Sequence, residues 1–187
     1  MKTLVAGAAE FIGLNVCDAL LALGDKVGGL DNLSGGITSN ASFGVSCFFD
    51  ASIQNYELIV NLFKEHHFDY VYHLAAFAAR GLSHFIRRFN YKNKLVGIIN
   101  LINQSILHEV WRFVFTSSIE VYGANQLSMR EDPQPIPEDP YGISKSAVEL
   151  DAETAYDYRD CGGDLFAAAA DRALASGKKR ARAETDV

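Results

Sequence analysis

Five short runs are apolar at nearly every position: Thr3–Ala6, Val27–Leu30, Val45–Phe49, Tyr70–Leu74 and Phe113–Thr116. Their lengths suit buried strands. Between them lie segments with apolar residues three and four apart, which predict helices over Phe11–Leu23, Tyr56–His66, Asn90–His108 and Tyr141–Tyr158. Gly24 stands where the first helix would stop. Strands apolar on both sides, each followed by a helix, imply a parallel sheet covered on both faces. Right-handed crossovers then make it a doubly wound α/β fold. All four prolines fall within residues 132–140, so an extended loop is expected between the fifth strand and the Tyr141 helix, at the rim of a ligand site.

After Leu150 the pattern fades. Cys161-Gly-Gly163 breaks the helix, Ala167–Ala170 is low in complexity, and Lys178–Arg182 is basic. Asp164–Ser176 could form a helix with Asp164 as cap, but its alanine-rich face would bury little area. The expectation is one domain over residues 1–160 and an atypical tail over 161–187, poorly ordered or a short helix.

The chain has 187 residues, one domain's length, and its 49% hydrophobic content supports a real core. A net charge of −6 argues against nucleic-acid binding. Cys17, Cys47 and Cys161 are odd in number and widely spaced, which suits reduced cytoplasmic thiols better than disulfides or zinc, so no metal is expected. Glu10 interrupts what would otherwise resemble a leader, and no apolar run is long enough to span a membrane.

Two groups of residues carry candidate chemistry. Gly7-Ala-Ala-Glu-Phe-Ile-Gly13 lies between the first strand and helix, where backbone N–H groups can face a pyrophosphate. Asp31 ends the second strand, where a carboxylate can accept from ribose hydroxyls and repel a 2′-phosphate; this favours NAD over NADP. Asp50 ends the third strand and is either an adenine ligand or a solvated strand end. The second group is Ser118, Tyr141 and Lys145. Tyr141 and Lys145 share a helix face, so the ammonium can favour the phenolate while the serine hydroxyl steadies a substrate oxygen. His73 reads as a strand-end histidine satisfied by local backbone, His66-His67 as a solvated helix end, and Phe85, Phe89, Tyr91 and Trp111 as packing.

Gly7 and Gly13 in their turn, Asp31-Asn-Leu-Ser, His73-Leu-Ala-Ala76, Asn90-Tyr-Lys-Asn93, Thr116-Ser-Ser118, Val121-Tyr-Gly123 and Tyr141-x-x-x-Lys145 occur in an order that resembles the extended short-chain dehydrogenase/reductases. Among them the chain looks most like NAD-dependent sugar-nucleotide epimerases and dehydratases of the UDP-glucose 4-epimerase kind, over residues 1–150. The resemblance implies a Rossmann-like, NAD-binding domain. It assigns Phe11 and Ile12 to covering the pyrophosphate turn, Asp31 and Asn32 to the adenosine ribose, and Asp50 to adenine. Leu74, Ala75, Ala76 and Phe77 would run beneath the pyrophosphate and nicotinamide ribose, with Asn93 a further contact. Ser118, Tyr141 and Lys145 would be catalytic, the last two also touching the cofactor. A UDP-sugar substrate and a homodimer through the Asn90 and Tyr141 helices are implied too.

The chain departs from that pattern. Glu10 replaces a glycine, placing a negative side chain where a pyrophosphate would approach. The sixth strand and substrate domain expected after Lys145 are not recognisable, so the chain reads as C-terminally truncated. Lys94 and Glu120 stand where relatives usually carry Asn and a small or hydroxylic residue. Two functions compete: an epimerase with transient hydride transfer, or an inactive relative that binds nucleotide or pairs with a second copy. A nuclear or nucleic-acid role for Lys178–Arg182 is the weakest alternative.

Overall fold

The computed structural model describes residues 1–35, 45–76, 81–124 and 134–158. The tail from 159 onward, with its candidate helix, Cys161 and basic run, lies outside the described residues, as does Phe77.

Five strands, β1 (Lys2–Ala6), β2 (Lys26–Asp31), β3 (Cys47–Asp50), β4 (Tyr70–His73) and β5 (Arg112–Phe115), form one parallel sheet in the order β3-β2-β1-β4-β5. The order reverses at β1 and β4, which opens a crevice at their carboxyl ends. Among the described residues five helices accompany them: α1 (Phe11–Ala22), α2 (Tyr56–Glu65), α3 (Arg87–Tyr91), α4 (Gly97–Leu107) and α5 (Pro140–Tyr158). This is the doubly wound architecture that the alternation predicts. Each strand and helix predicted up to Tyr158 is present with ends shifted by a few residues.

Alternation within β1 divides the core. Leu4 and Ala6 face one layer with Ile59 and Phe63 of α2, Ile98, Leu101 and Ile102 of α4, and Val148 and Ala152 of α5. Val5 faces the other layer with Cys17 and Leu20 of α1 and Val27 of β2. Each fully buried large side chain contributes about 1.5–3 kcal/mol, so the α2/α4/α5 layer dominates stability.

Local signals set the helix ends. The Asn55 side chain accepts from the Leu58 N–H at 3.2 Å and starts α2. Gly24, at φ +84°, ends α1 with its N–H on the Leu21 carbonyl at 2.9 Å. Pro140 opens α5, where it forfeits no helical hydrogen bond, and Asp139 caps that end by accepting from the Gly142 N–H at 2.7 Å. The segment expected as one regular helix over Asn90–His108 begins earlier, at Arg87. It passes through a π turn, Lys92–Val96, closed by the Gly97 N–H on the Lys92 carbonyl.

Candidate active site

The β1–α1 turn is built by its two end glycines. Gly7 has φ +90°, and a Cβ on it would lie 2.6 Å from the Ala75 nitrogen. A Cβ on Gly13 would lie 1.9 Å from the Gly7 carbonyl oxygen. Neither position accepts a side chain. Residue 10 differs: Glu10 has φ −91° and ψ 165°, an ordinary extended conformation, so the backbone tolerates a residue other than glycine there.

Asp31 locks the turn to the end of β2. Its carboxylate accepts from the Ala9 N–H at 3.0 Å and the Leu33 N–H at 2.8 Å, and only 6% of the residue is exposed. Each oxygen retains a lone pair for a ribose hydroxyl. Asn32 binds back to Ser34, accepting from its hydroxyl at 2.7 Å.

A cavity of about 540 Å³ opens at the crevice, lined in part by Glu10, Phe11, Asp31, Asn32, Ala75, Ala76 and Asn93. Phe11 is 82% exposed and contributes to the lining, while Ile12, also exposed, does not. Leu74 packs beneath, beside Val5 and Cys17. Asp50 is exposed and outside the cavity; the residues that follow it, Ala51 to Gln54, form the wall instead. Asn93 receives a hydrogen bond from Gln54 Nε2 and donates to the Phe89 carbonyl at 3.1 Å. This volume, its position at the strand-order reversal and the buried Asp31 fit the adenosine end of a dinucleotide. Glu10 lines the cavity beside Asp31, and its carboxylate opposes a phosphate at the turn. Burial and then Asp31 raise its carboxyl above the ordinary value.

The second cluster lies where β5 gives way to α5. Ser118 precedes a single 3₁₀ turn, Ile119–Tyr122, and its Oγ accepts from the Glu120 N–H at 3.3 Å. The same side chain acts on the Tyr141 phenol, favouring its ionised form. Lys145, one turn along α5, is 2% exposed and donates from Nζ to the Thr116 carbonyl at 2.7 Å, with Phe115 beneath it at 4.6 Å. Burial, reinforced by Lys94, lowers its pKa to about 8 against the pull of Glu149. Burial raises the Tyr141 phenol; Ser118 opposes this, and Glu120 and Asp139 add to it. The three predicted catalytic residues are therefore brought together, with the tyrosine as the neutral phenol.

His73 corrects an expectation. Among the described residues neither ring nitrogen has a hydrogen-bond partner, although the residue is fully buried. Its ring lies 6.1 Å from that of Phe115 at an interplanar angle of 8°, and burial, then Lys145, lowers its pKa to about 3. It is a neutral, stacked core residue, because side-chain packing and not backbone decides its surroundings. His66 likewise packs on Phe49, at 5.3 Å between ring centres.

Two features were not legible from motifs. Glu149 is buried one turn beyond Lys145 and receives a short hydrogen bond from Ser117. Lys94 is also buried, and its Nζ lies 3.8 Å from the centre of the Tyr141 ring. The i, i+4 relation of Asn90 and Lys94 was available in the sequence; the inward direction of a lysine was not.

Comparison with known proteins agrees with this architecture. Residues 3–170 match the model of the NAD dependent epimerase/dehydratase family. A UDP-glucose 4-epimerase of Halalkalibacterium halodurans is 34% identical over 150 residues, covering 80% of this chain and 44% of that protein. The UDP-glucose 4-epimerase of Bacillus subtilis is 32% identical over 157 residues, covering 80% and 46%. A solved Thermus thermophilus UDP-glucose 4-epimerase in complex with NAD superposes with a TM-score of 0.80 at 32% identity, over 84% of this chain and 51% of that one. A Thermotoga maritima UDP-glucose 4-epimerase with UDP-glucose gives 0.79 at 32% identity, over 84% and 52%. The chain thus spans about half the length of these relatives. The matched span, the switch-point cavity and the parallel sheet together identify it as a member of the NAD-dependent epimerase/dehydratase family.

Proposed function

We propose that this chain carries the NAD-binding and proton-transfer part of a UDP-hexose 4-epimerase. The observation that carries the reading is the proximity of Ser118 to the Tyr141 phenol, with Lys145 one turn along the same helix. Asp31 and Asn32 hold the adenosine ribose, while Asp50, outside the cavity, is left as a solvated strand end. Phe11 and Ile12 flank the pyrophosphate turn. Leu74, Ala75 and Ala76 floor the path toward Lys145, with Phe77 following them in sequence and Asn93 on the opposite wall. Bound NAD supplies a hydride acceptor that can return the hydride. Ser118 orients the sugar oxygen, Tyr141 accepts its proton as the phenolate, and Lys145 holds the nicotinamide ribose and favours that phenolate. The exposed Val96, Ile143 and Leu150 on the α4 and α5 side support pairing of two copies there.

A second reading is a nucleotide-binding or dimerising module without turnover. It is favoured by Glu10, whose carboxylate stands in the pyrophosphate turn. Incubation with UDP-galactose and NAD, read as formation of UDP-glucose, separates the two. Turnover that disappears in Tyr141→Phe supports the epimerase. NAD retention in native mass spectrometry without turnover supports the module. Absence of both defeats the nucleotide site itself.

A further inference from the structure

We propose that Lys94 is a positioning residue for Tyr141: its ammonium rests on the face of the phenol ring, fixes the ring and makes the phenolate easier to form. This inference rests on the reading of Tyr141 as the proton-transfer group and adds to it a cation which the turn before α4 supplies. The geometry is specific. Lys94 is 2% exposed, an unusual burial for lysine, and its Nζ donates to the Asn90 Oδ1 at 2.8 Å. Asn90 Nδ2 donates in turn to the Pro140 carbonyl at 2.8 Å, the residue immediately before Tyr141. One side chain therefore ties the ammonium to the backbone that carries the ring. From this anchor Nζ stands 3.8 Å from the ring centre. Lys94 belongs to the π turn at Lys92–Val96, an interruption that in helices often marks a functional position.

The Lys145 ammonium is engaged elsewhere, on the Thr116 carbonyl and above Phe115. In this geometry the cation in contact with the phenol ring is Lys94. Phenolate charge spreads into the ring, so a cation on the ring face stabilises it more than it stabilises the neutral phenol. The other groups around Tyr141 are named readily. Glu120 from the 3₁₀ turn and Asp139 from the α5 cap oppose ionisation, Ser118 favours it, and Lys145 shares α5 with Glu149 as its counter-charge. Burial lowers the Lys94 pKa to about 8, and Asp139 opposes that shift.

The test uses ultraviolet difference titration of tyrosine ionisation in the cofactor-free full chain. Wild type, Lys94→Met and Lys94→Arg are each measured against the same background carrying Tyr141→Phe, so that the difference isolates Tyr141. With the Lys94 pKa lowered to about 8, the wild-type ammonium is lost before the phenol ionises, and Lys94→Arg serves as the charged reference. Lys94→Arg is expected to give an apparent Tyr141 pKa about 1 unit below that of Lys94→Met, the low end for an opposite charge at contact distance. Circular dichroism verifies folding. If Lys94→Met does not fold, Lys94→Gln replaces it as the neutral reference. Equal Tyr141 titrations in the arginine and neutral variants overturn the inference. The UDP-galactose assay with Tyr141→Phe tests the parent reading separately, because the titration requires neither cofactor nor turnover.

Discussion

Glu10 offers the sharpest test of the nucleotide site. It caps α1 with an extended backbone and lines the cavity, about half shielded from water. A phosphate seated on the turn would lie about one contact distance away. Two unit charges ~4 Å apart repel by roughly 4 kcal/mol at an effective dielectric near 20. Solvent and salt around a half-exposed carboxylate reduce this to about 1–2 kcal/mol, near tenfold in affinity. Glu10→Gln removes the charge and keeps the size, whereas Glu10→Gly removes both. At pH 7 both are expected to bind NAD about tenfold more tightly than wild type in calorimetric titration, and any excess for glycine measures the steric share. Because burial and Asp31 raise the Glu10 pKa, wild-type affinity is expected to improve as pH falls toward the carboxylate range, and the glutamine variant to lack that slope. Stability carries the same sign. The fold disfavours the ionised form, so the Glu10 contribution is fully present below the ordinary value of 4.5 and is lost as pH rises through the folded value. Glu10→Gln is thus expected to melt above wild type at neutral pH, with the gap closing on acidification. Equal NAD affinity and equal pH slopes in all three proteins would refute the reasoning.

Asp31→Asn leaves an amide where two backbone N–H groups need acceptors, so a loss of about 1–3 kcal/mol is expected in urea unfolding. The same variant is expected to narrow the preference for NAD over NADP in competitive binding; a wild type that prefers NADP would contradict the Asp31 assignment. Gly13→Ala forces a methyl group against the Gly7 carbonyl, and a destabilisation of about 3 kcal/mol or more is expected; under 1 kcal/mol would mean that the turn yields. Phe113→Ala, at a fully buried site, is expected to cost about 3–5 kcal/mol in the same measurement, and a small loss would show that the α2/α4/α5 layer collapses readily.

Much of this molecule is readable from its residues. Thr3–Ala6 and Val27–Leu30 are apolar on both sides because helices cover both faces of the sheet, and that pattern marks parallel strands irrespective of context. Gly7, Gly13 and Asp31 are legible because their positions accept few alternatives: two have no room for a Cβ and the third anchors two N–H groups. The π turn at Lys92–Val96 leaves no periodic trace, since it widens one turn while the apolar face continues through Ile98 and Leu101. Lys94 and Glu149 carry no mark of burial in the sequence, and each is buried because it finds partners on another segment. His73 fails for the converse reason. Its neighbours are aromatic rings brought from β5, more than three dozen residues away in the sequence.

The strand order also imposes a schedule on synthesis. β1 leaves the ribosome first, yet it occupies the middle of the sheet, and its pairing with β4 brings together residues such as Lys2 and Asp69 that are 67 apart. At ordinary elongation rates of about 5–20 residues per second, one edge of the central strand waits roughly 3–13 s for its neighbour. During that interval Leu4, Val5 and Ala6 have no complete sheet to join. The nascent chain therefore presents its central strand with an open edge for seconds, the interval in which a chaperone has most to shield.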